Sequence, residues 1–110
     1  MNRGEVWRLA LDDSAEGEGN TRPVIILSSD ALAVLPLRVV VPLVPWRDTF
    51  TSAPWMVRVP PVLNSGLEGV MAADALQVRS VSTARLKTRL GSRPERITSQ
   101  IAEAVGEVIG

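Results

Sequence analysis

The stretch Asn20–Asp30, NTRPVIILSSD, decides the class of fold. Its centre, Val24–Ser28, is a continuous apolar run of strand length, and its β-branched residues favour a strand that is buried on both faces. Pro23 is tolerated there because the first residue of a strand can lack its N–H. Arg22 therefore stands at the mouth of a buried strand, whereas a cation with a purely structural role prefers a solvated surface.

Strands are predicted on both sides of this segment. Glu5–Leu11 alternates in the manner of a half-buried strand, and Asp12–Thr21 is a polar loop rich in glycine and acid. Ser29–Leu35 can form one short helical turn before a third strand, Leu37–Val44. Pro42 lies inside that strand and predicts a sheet edge or a bulge, because proline cannot donate a hydrogen bond to a neighbouring strand.

The middle of the chain continues with short strands. Pro45–Pro54 is predicted to be a loop, and Trp55–Val59 is a fourth strand that two prolines end. Val70–Val81 is predicted to be a fifth strand with a break near Asp74. The next segment, Ser82–Leu90, is compatible with more than one structure.

A C-terminal helix completes the pattern. Ser92 and Glu95 have the spacing of a capping box, and Pro94 suits a first helical turn. Apolar residues then repeat at helical spacing, at Ile97, Ile101, Ala104, Val105 and Val108. Short strands without alternating helices predict a mainly β fold, a small and strongly bent antiparallel barrel with this one helix.

The composition is that of a globular protein, and we expect a single domain over residues 1–110. Hydrophobic residues make up 45% of the chain and charged residues 22%. No apolar run approaches the roughly 20 residues that span a bilayer, and Met1–Leu11 lacks the layout of a secretory signal. The expected location is therefore the cytoplasm, away from membranes.

Two absences limit the chemistry. The chain has no histidine and no cysteine, which excludes disulfides, zinc hydrolysis and imidazole acid–base catalysis. Its 12 basic residues balance 12 acidic ones, so any contact with nucleic acid must be local. The chemistry is left to arginines, carboxylates, hydroxyls and amides.

Four blocks, in order, carry a family resemblance: RGEVWRLAL, TRPVIILSSDA, VVVPLVPW and ADALQVRSV, followed by an LGS turn and the last helix. With these blocks the chain resembles the MazF/PemK family of toxin endoribonucleases over nearly its whole length. The resemblance implies an SH3-like barrel of the CcdB/PemK type, a homodimer, and cutting of single-stranded RNA or mRNA without a metal or other cofactor. It also implies 2′,3′-cyclic phosphate and 5′-hydroxyl ends, and a cognate MazE-like antitoxin whose C-terminal tail occupies the RNA groove.

The resemblance also implies catalytic residues. The family's catalytic arginine falls on Arg22, where it would stabilise the charge that builds on a phosphate attacked by the ribose 2′-hydroxyl. The structural alternative is an ion pair between Arg22 and Glu16 or Glu18, and Glu18 is also the nearest match to an acid in the family's first loop. The family's threonine or serine falls on Val44, which has nearly the shape of threonine without its hydroxyl. Nearby polar substitutes are Ser28, Asp48, Thr49 and Thr51.

Four further residues are candidates for RNA binding. The family's Q-x-R-[S/T] block falls on Gln77 and Arg79: the amide can read a base edge or cap a bent strand, and the arginine can hold phosphate or face solvent. Trp46 and Arg47 lie in the loop after the third strand, where an indole can stack on a base or contact the antitoxin. The other two indoles are predicted in the core or at an interface: Trp7 and Trp55.

The missing hydroxyl at position 44 leaves a second hypothesis open. In it the chain is a catalytically inert module of the same fold that binds RNA or antitoxin peptide without cutting. A third hypothesis, a poison of gyrase that acts by protein contact, is disfavoured because the chain ends VGEVIG without an aromatic residue.

Overall fold

The computed structural model describes residues 1–11, 20–67 and 69–110. These residues form seven β-strands and one α-helix. In chain order the elements are β1 (Glu5–Ala10), β2 (Thr21–Ile26), β3 (Leu37–Pro45), β4 (Met56–Val59), β5 (Met71–Asp74), β6 (Arg79–Ser82), β7 (Leu86–Ser92) and α1 (Glu95–Ile109). No helix within these ranges has the length and apolar character needed to cross a membrane.

The strands form one antiparallel sheet. Its order is β4-β5-β3-β2-β1-β7, and β6 pairs with β3 beside β5. Strands β4 and β7 occupy the two ends of this order, so the strand path is open. The prediction of a mainly β fold with one C-terminal helix is confirmed, with two strands more than the five predicted, since residues 70–81 divide into two strands and residues 86–92 form another.

Strand β2 is buried on both faces, as its apolar run predicts. Val24 and Ile26 belong to one core cluster, while Ile25 belongs to the cluster that α1 covers. Successive strand residues point to opposite faces, so this alternation places β2 between two cores. The strand begins earlier than predicted, at Thr21, and Arg22 is therefore a paired strand residue.

Pro42 does not mark a sheet edge, so the edge, one of the two predicted alternatives, is wrong. Strand β3 is central, with β2 on one side and both β5 and β6 on the other. On that second side β6 pairs with Leu37–Val40 and β5 pairs with Leu43–Pro45. Pro42 falls in the gap between these two ladders, where neither strand is registered opposite it, and a missing N–H is tolerated there.

The predicted break near Asp74 is confirmed. Strand β5 ends at this residue, and the 3-10 helix Ala75–Gln77 separates it from β6. One carboxylate oxygen of Asp74 accepts a hydrogen bond from the N–H of Leu76 at 3.1 Å, which caps the turn. The chain therefore changes direction at a side chain that sequence reasoning singled out.

The helix is confirmed, but its predicted capping box is wrong. Ser92 is the last residue of β7 and pairs with Glu5, while Pro94 stands at the N-cap without a side-chain hydrogen bond. Glu95 instead accepts a hydrogen bond at 3.0 Å from the Nε of Arg3. Ser92 is therefore part of the sheet and not the N-cap that the local pattern predicted. The buried face of α1 consists of Ile97, Thr98, Ile101 and Ala104.

Candidate functional site

Arg22 is an exposed residue on an ordered strand. Its Cα pairs with that of Leu9 in β1, so the backbone beneath it is held on that side. Its guanidinium has no hydrogen-bond or ion-pair partner among the residues that the structure describes. The alternative partners, Glu16 and Glu18, lie outside the described residues. A cation mounted on a paired strand has little backbone freedom left to lose when it binds an anion.

A pocket of about 390 Å³ lies beside Arg22, and Val44 lines it as well. The register of β2 and β3 places Val24 opposite Pro42, and its continuation by two residues would bring Arg22 opposite Val44 on the same face. The other lining residues are Pro23, Leu43, Pro45, Gly66, Leu67 and Met71. A mostly apolar wall with one cation at its rim suits a ligand that has both an anionic group and a flat apolar body.

Val44 brings no hydroxyl to this pocket, and the nearby polar substitutes do not line it. The hydroxyl oxygen of Ser28 accepts a hydrogen bond from the N–H of Val39 at 3.2 Å. The hydroxyl of Thr51 donates to the backbone carbonyl of Asp48 at 2.9 Å, within the 3-10 helix Asp48–Ser52. These two hydroxyls serve local backbone structure.

Gln77 is exposed and anchored. Its side-chain Nε2 donates to the Oδ2 of Asp74 at 3.0 Å, and Asp74 itself is only 8% exposed. The amide therefore does take part in capping the bent strand, which was one of its two predicted roles. No partner of its side-chain carbonyl is seen among the described residues, so this group can still accept a hydrogen bond from a ligand. Arg79 is also exposed, on β6, where it pairs with Val40 of β3.

Trp46 is packed by two neighbours. The ring centroids of Trp46 and Phe50 lie 5.7 Å apart with the planes at 86°, an edge-to-face contact. The guanidinium carbon of Arg58 lies 5.7 Å from the centroid of the Trp46 ring. Such a cation–π contact contributes about 0.5–1 kcal/mol at an exposed site, enough to bias the position of the cation. Arg47 follows as an exposed residue at the start of the 3-10 helix.

The other two tryptophans differ from each other. Trp7 is half-buried and packs against the core cluster that contains Val24, and its indole N–H donates to Glu5 at 2.9 Å, so it lies at the margin of the core. Trp55 is 37% exposed, so it does not lie in the core, and the interface position that was its other alternative stays a prediction. It precedes the edge strand β4, where only one neighbouring strand can cover it.

Two arginines near the site were not singled out by sequence reasoning. The Nη2 of Arg8 lies 3.9 Å from the point that a Cβ on Gly66 would occupy, and Gly66 lines the pocket. Arg58 lies on β4, in register with Ala72, which is in turn in register with Val44. In the sequence each of the two arginines is only an outward-facing residue of a predicted strand. They come near the pocket because their strands pair with strands that are distant in sequence.

Glu18, the remaining candidate, lies outside the described residues. Within the described ranges, histidine, cysteine and acidic residues form no group of three or more that could hold a metal ion.

Comparison with known proteins agrees with this architecture. The family model described as PemK-like, MazF-like toxin of type II toxin-antitoxin system matches residues 2–109. Endoribonuclease MazF9 of Mycobacterium tuberculosis (strain ATCC 25618 / H37Rv) is 32% identical over 110 residues, which cover 96% of this chain and 92% of that protein. Endoribonuclease PemK of Escherichia coli is 32% identical over 112 residues, covering 100% of this chain and 77% of that protein.

Solved structures show the same fold. An endoribonuclease in complex with its cognate antitoxin, from a mycobacterial species, has a TM-score of 0.74 and 22% identity, with 100% of this chain and 95% of that chain covered. MazE-MazF (Form-II) from Deinococcus radiodurans has a TM-score of 0.73 and 22% identity, again with 100% and 95% covered. At this level of identity the likeness concerns the fold alone.

Proposed function

This chain belongs to the PemK-like, MazF-like family of toxins of type II toxin-antitoxin systems, and on that premise we propose that it is an endoribonuclease that cuts single-stranded RNA without a metal ion. The observation that carries the proposal is Arg22: an exposed guanidinium on a paired strand, unpartnered among the described residues, beside a pocket with mostly apolar walls. Both curated relatives described above are named endoribonucleases, which favours the enzyme over the inert module.

The proposed reaction is an internal transfer at phosphorus. The ribose 2′-oxygen bonds to the adjacent phosphorus while the bond from phosphorus to the 5′-oxygen breaks. The 2′-hydroxyl loses its proton, the departing 5′-oxygen gains one, and the products are a 2′,3′-cyclic phosphate and a 5′-hydroxyl. Negative charge accumulates on the phosphate oxygens, and Arg22 would donate to them from a fixed backbone, which is the arrangement that stabilises a transition state more than a ground state.

The other candidate residues have supporting roles in this proposal. Gln77 offers its side-chain carbonyl, which has no partner among the described residues, to a base edge. Arg79, Arg47 and Trp46 supply exposed charge and an aromatic ring to the RNA. The acid of the first loop, Glu18, belongs to the catalytic set only by resemblance.

The test uses pure protein and long single-stranded RNA in EDTA, with mapping of the product ends. Wild-type protein should yield cyclic phosphate ends, and Arg22→Ala should abolish them. Arg96→Ala is the matched control, because Arg96 is an exposed arginine on α1, which covers the other face of the sheet. RNA that stays intact under every condition, or equal cutting by wild type and Arg22→Ala, would overturn the proposal.

The proposed partners are a second copy of the chain and an antitoxin in the cytoplasm. Solved structures of the same fold include a complex with a cognate antitoxin. We propose that a MazE-like antitoxin covers the pocket beside Arg22 in this protein. A homodimer is supported by a run of exposed apolar side chains before and within β3, namely Leu32, Val34, Leu35, Leu37 and Val39. Light scattering after gel filtration should give the mass of a dimer for the wild type and that of a monomer for the double variant Val34→Glu, Leu35→Glu. A monomeric wild type would refute the proposal that this face forms a dimer interface.

A further inference from the structure

Arg58 is an ordered cation that no described residue neutralises. Its side chain is exposed on β4, and its guanidinium carbon lies 5.7 Å from the centroid of the Trp46 ring. Trp46 is itself held edge-to-face by Phe50. No hydrogen bond or ion pair to Arg58 occurs within residues 1–11, 20–67 and 69–110. Its N–H donors are therefore available while its position is restrained.

Other arginines of the chain show what a structural role looks like here. Arg38 donates to the backbone carbonyls of three residues around the start of β3 and to that of Met1. Arg85 donates twice to the carbonyl of Ala10, which ties the turn before β7 to the end of β1. Arg58 makes no contact of this kind in the described part of the chain, so its guanidinium is left for an external acceptor.

The sheet register connects Arg58 to the pocket beside Arg22. Arg58 pairs with Ala72, and Ala72 pairs with Val44, so these three residues lie in one row across β4, β5 and β3. Paired residues of antiparallel strands point to the same face of a sheet. The ladder of β2 and β3 ends at Val24 and Pro42; its continuation by two residues would put Arg22 at the far end of the row, and Arg22 and Val44 do line the same pocket. Between the two arginines the row contains the buried methyl group of Ala72 and the half-buried isopropyl group of Val44.

Arg22 and Arg58 lie too far apart to bind the same phosphate. Neighbouring strands lie about 4.8 Å apart, so the backbones of Arg22 and Arg58 are three strand spacings, or about 14 Å, from each other. An extended RNA strand carries one phosphate on every nucleotide, so a strand whose scissile phosphate meets Arg22 can present a flanking phosphate to a second cation at this distance.

We propose that Arg58 binds the phosphate of a nucleotide that flanks the cleavage site, and that Trp46 supports Arg58 in this role. The inference rests on the proposed function and deepens it, because it directs the RNA across β3 and β5, from Arg22 towards β4. The planar guanidinium matches phosphate oxygens through two parallel hydrogen bonds. Besides the aromatic ring that it offers to the RNA, Trp46 then also supports RNA binding by holding Arg58 in place.

Binding can be measured apart from cleavage. A single-stranded RNA with 2′-O-methyl groups throughout lacks the attacking hydroxyl, so it reports affinity alone. Arg58→Gln should weaken its binding about tenfold at low salt, the effect of losing one charged hydrogen-bonded contact. The slope of log affinity against log salt should become shallower by about 0.7, the value for one phosphate contact on a single strand. Arg58→Lys should keep the wild-type slope, because it keeps the charge.

The control and the cleavage assay separate this inference from the proposed function. Arg96→Gln removes an exposed arginine on α1 and should leave the salt slope unchanged. On cleavable RNA, Arg58→Gln should lower kcat/KM for a long substrate and leave it unchanged for the shortest RNA that is cut. If wild type cuts RNA but Arg58→Gln keeps the wild-type salt slope and kcat/KM on long RNA, Arg58 is not a phosphate contact and the endoribonuclease stands. If wild type neither binds nor cuts RNA, both proposals are overturned.

Discussion

Replacement of Val44 by threonine should raise the rate of RNA cleavage by about two to three powers of ten. Val44 lines the pocket beside Arg22, and the continued register of β2 and β3 puts the two side chains on the same face. A hydroxyl there would add a hydrogen bond to the phosphate in the transition state. One such donor contributes about 3–4 kcal/mol, which corresponds to this factor.

The cost of the substitution is small by comparison. Threonine and valine are both β-branched and both suit a strand. Val44 is only half-buried, so a new hydroxyl can keep contact with water, and the stability loss should stay below about 1 kcal/mol. Since native proteins are typically stable by about 5–15 kcal/mol, the variant remains folded.

The assay is single-turnover cleavage of RNA in EDTA, with the cyclic phosphate product quantified. Val108→Thr is the matched control, because Val108 is a partly exposed valine on α1 and the same hydroxyl there should not change the rate. The reasoning would be refuted if Val44→Thr melts like wild type and cleaves at the wild-type rate. That result would show that position 44 does not reach the reacting phosphate.

Three further predictions concern stability. Gly91→Ala should lower the free energy of unfolding by about 1–3 kcal/mol in urea titrations, because the new Cβ would lie 2.5 Å from the Cγ1 of buried Val62; an unchanged midpoint would contradict the packing. Asp74→Ala should lower the free energy of unfolding by about 1–2 kcal/mol in the same titration, because the carboxylate of Asp74 accepts two hydrogen bonds in the turn after β5. An unchanged free energy of unfolding would mean that water replaces these hydrogen bonds. Burial raises the pKa of Glu5, but hydrogen bonds, including one from the Trp7 indole, outweigh it and hold the pKa below its ordinary value. The ionised Glu5 therefore stabilises the fold at pH values above its unfolded pKa, and this stabilisation is lost as the pH falls through its lower folded pKa. Glu5→Gln should remove this part of the acid dependence of the melting temperature, measured by thermal melts at a series of pH values. Identical dependence of the melting temperature on pH in wild type and Glu5→Gln would contradict the prediction.

The local sequence pattern predicted the structure correctly where the spacing of apolar residues within one element decides which of them are buried. The apolar run after Arg22 became β2 with its residues divided between two cores, and the spacing of Ile97 and Ile101 predicted the buried face of α1. The break at Asp74 was also local, because an aspartate can cap the turn that follows it. These signals lie within a few residues of the structure that they predict.

Local pattern failed where a distant strand competed for the same residue. Ser92 had the spacing of a helix cap, yet pairing with β1 kept it in β7. Pro42 suggested an edge or a bulge, yet it lies in the central strand β3, where the gap between the β5 and β6 ladders accommodates it. Neither outcome follows from neighbouring residues, since each depends on a partner strand far along the chain.

For the candidate site, the sequence by itself determined the chemistry, and the tertiary structure decided the arrangement. The absence of histidine and cysteine and the proline-linked Arg22 left a guanidinium as the candidate group for phosphate. Only the pairing of β4, β5 and β3 placed Arg58 in a row with Ala72 and Val44. The physical reason is that strand alternation is encoded locally, whereas register is set by hydrogen bonds and packing between segments that meet only in the folded sheet.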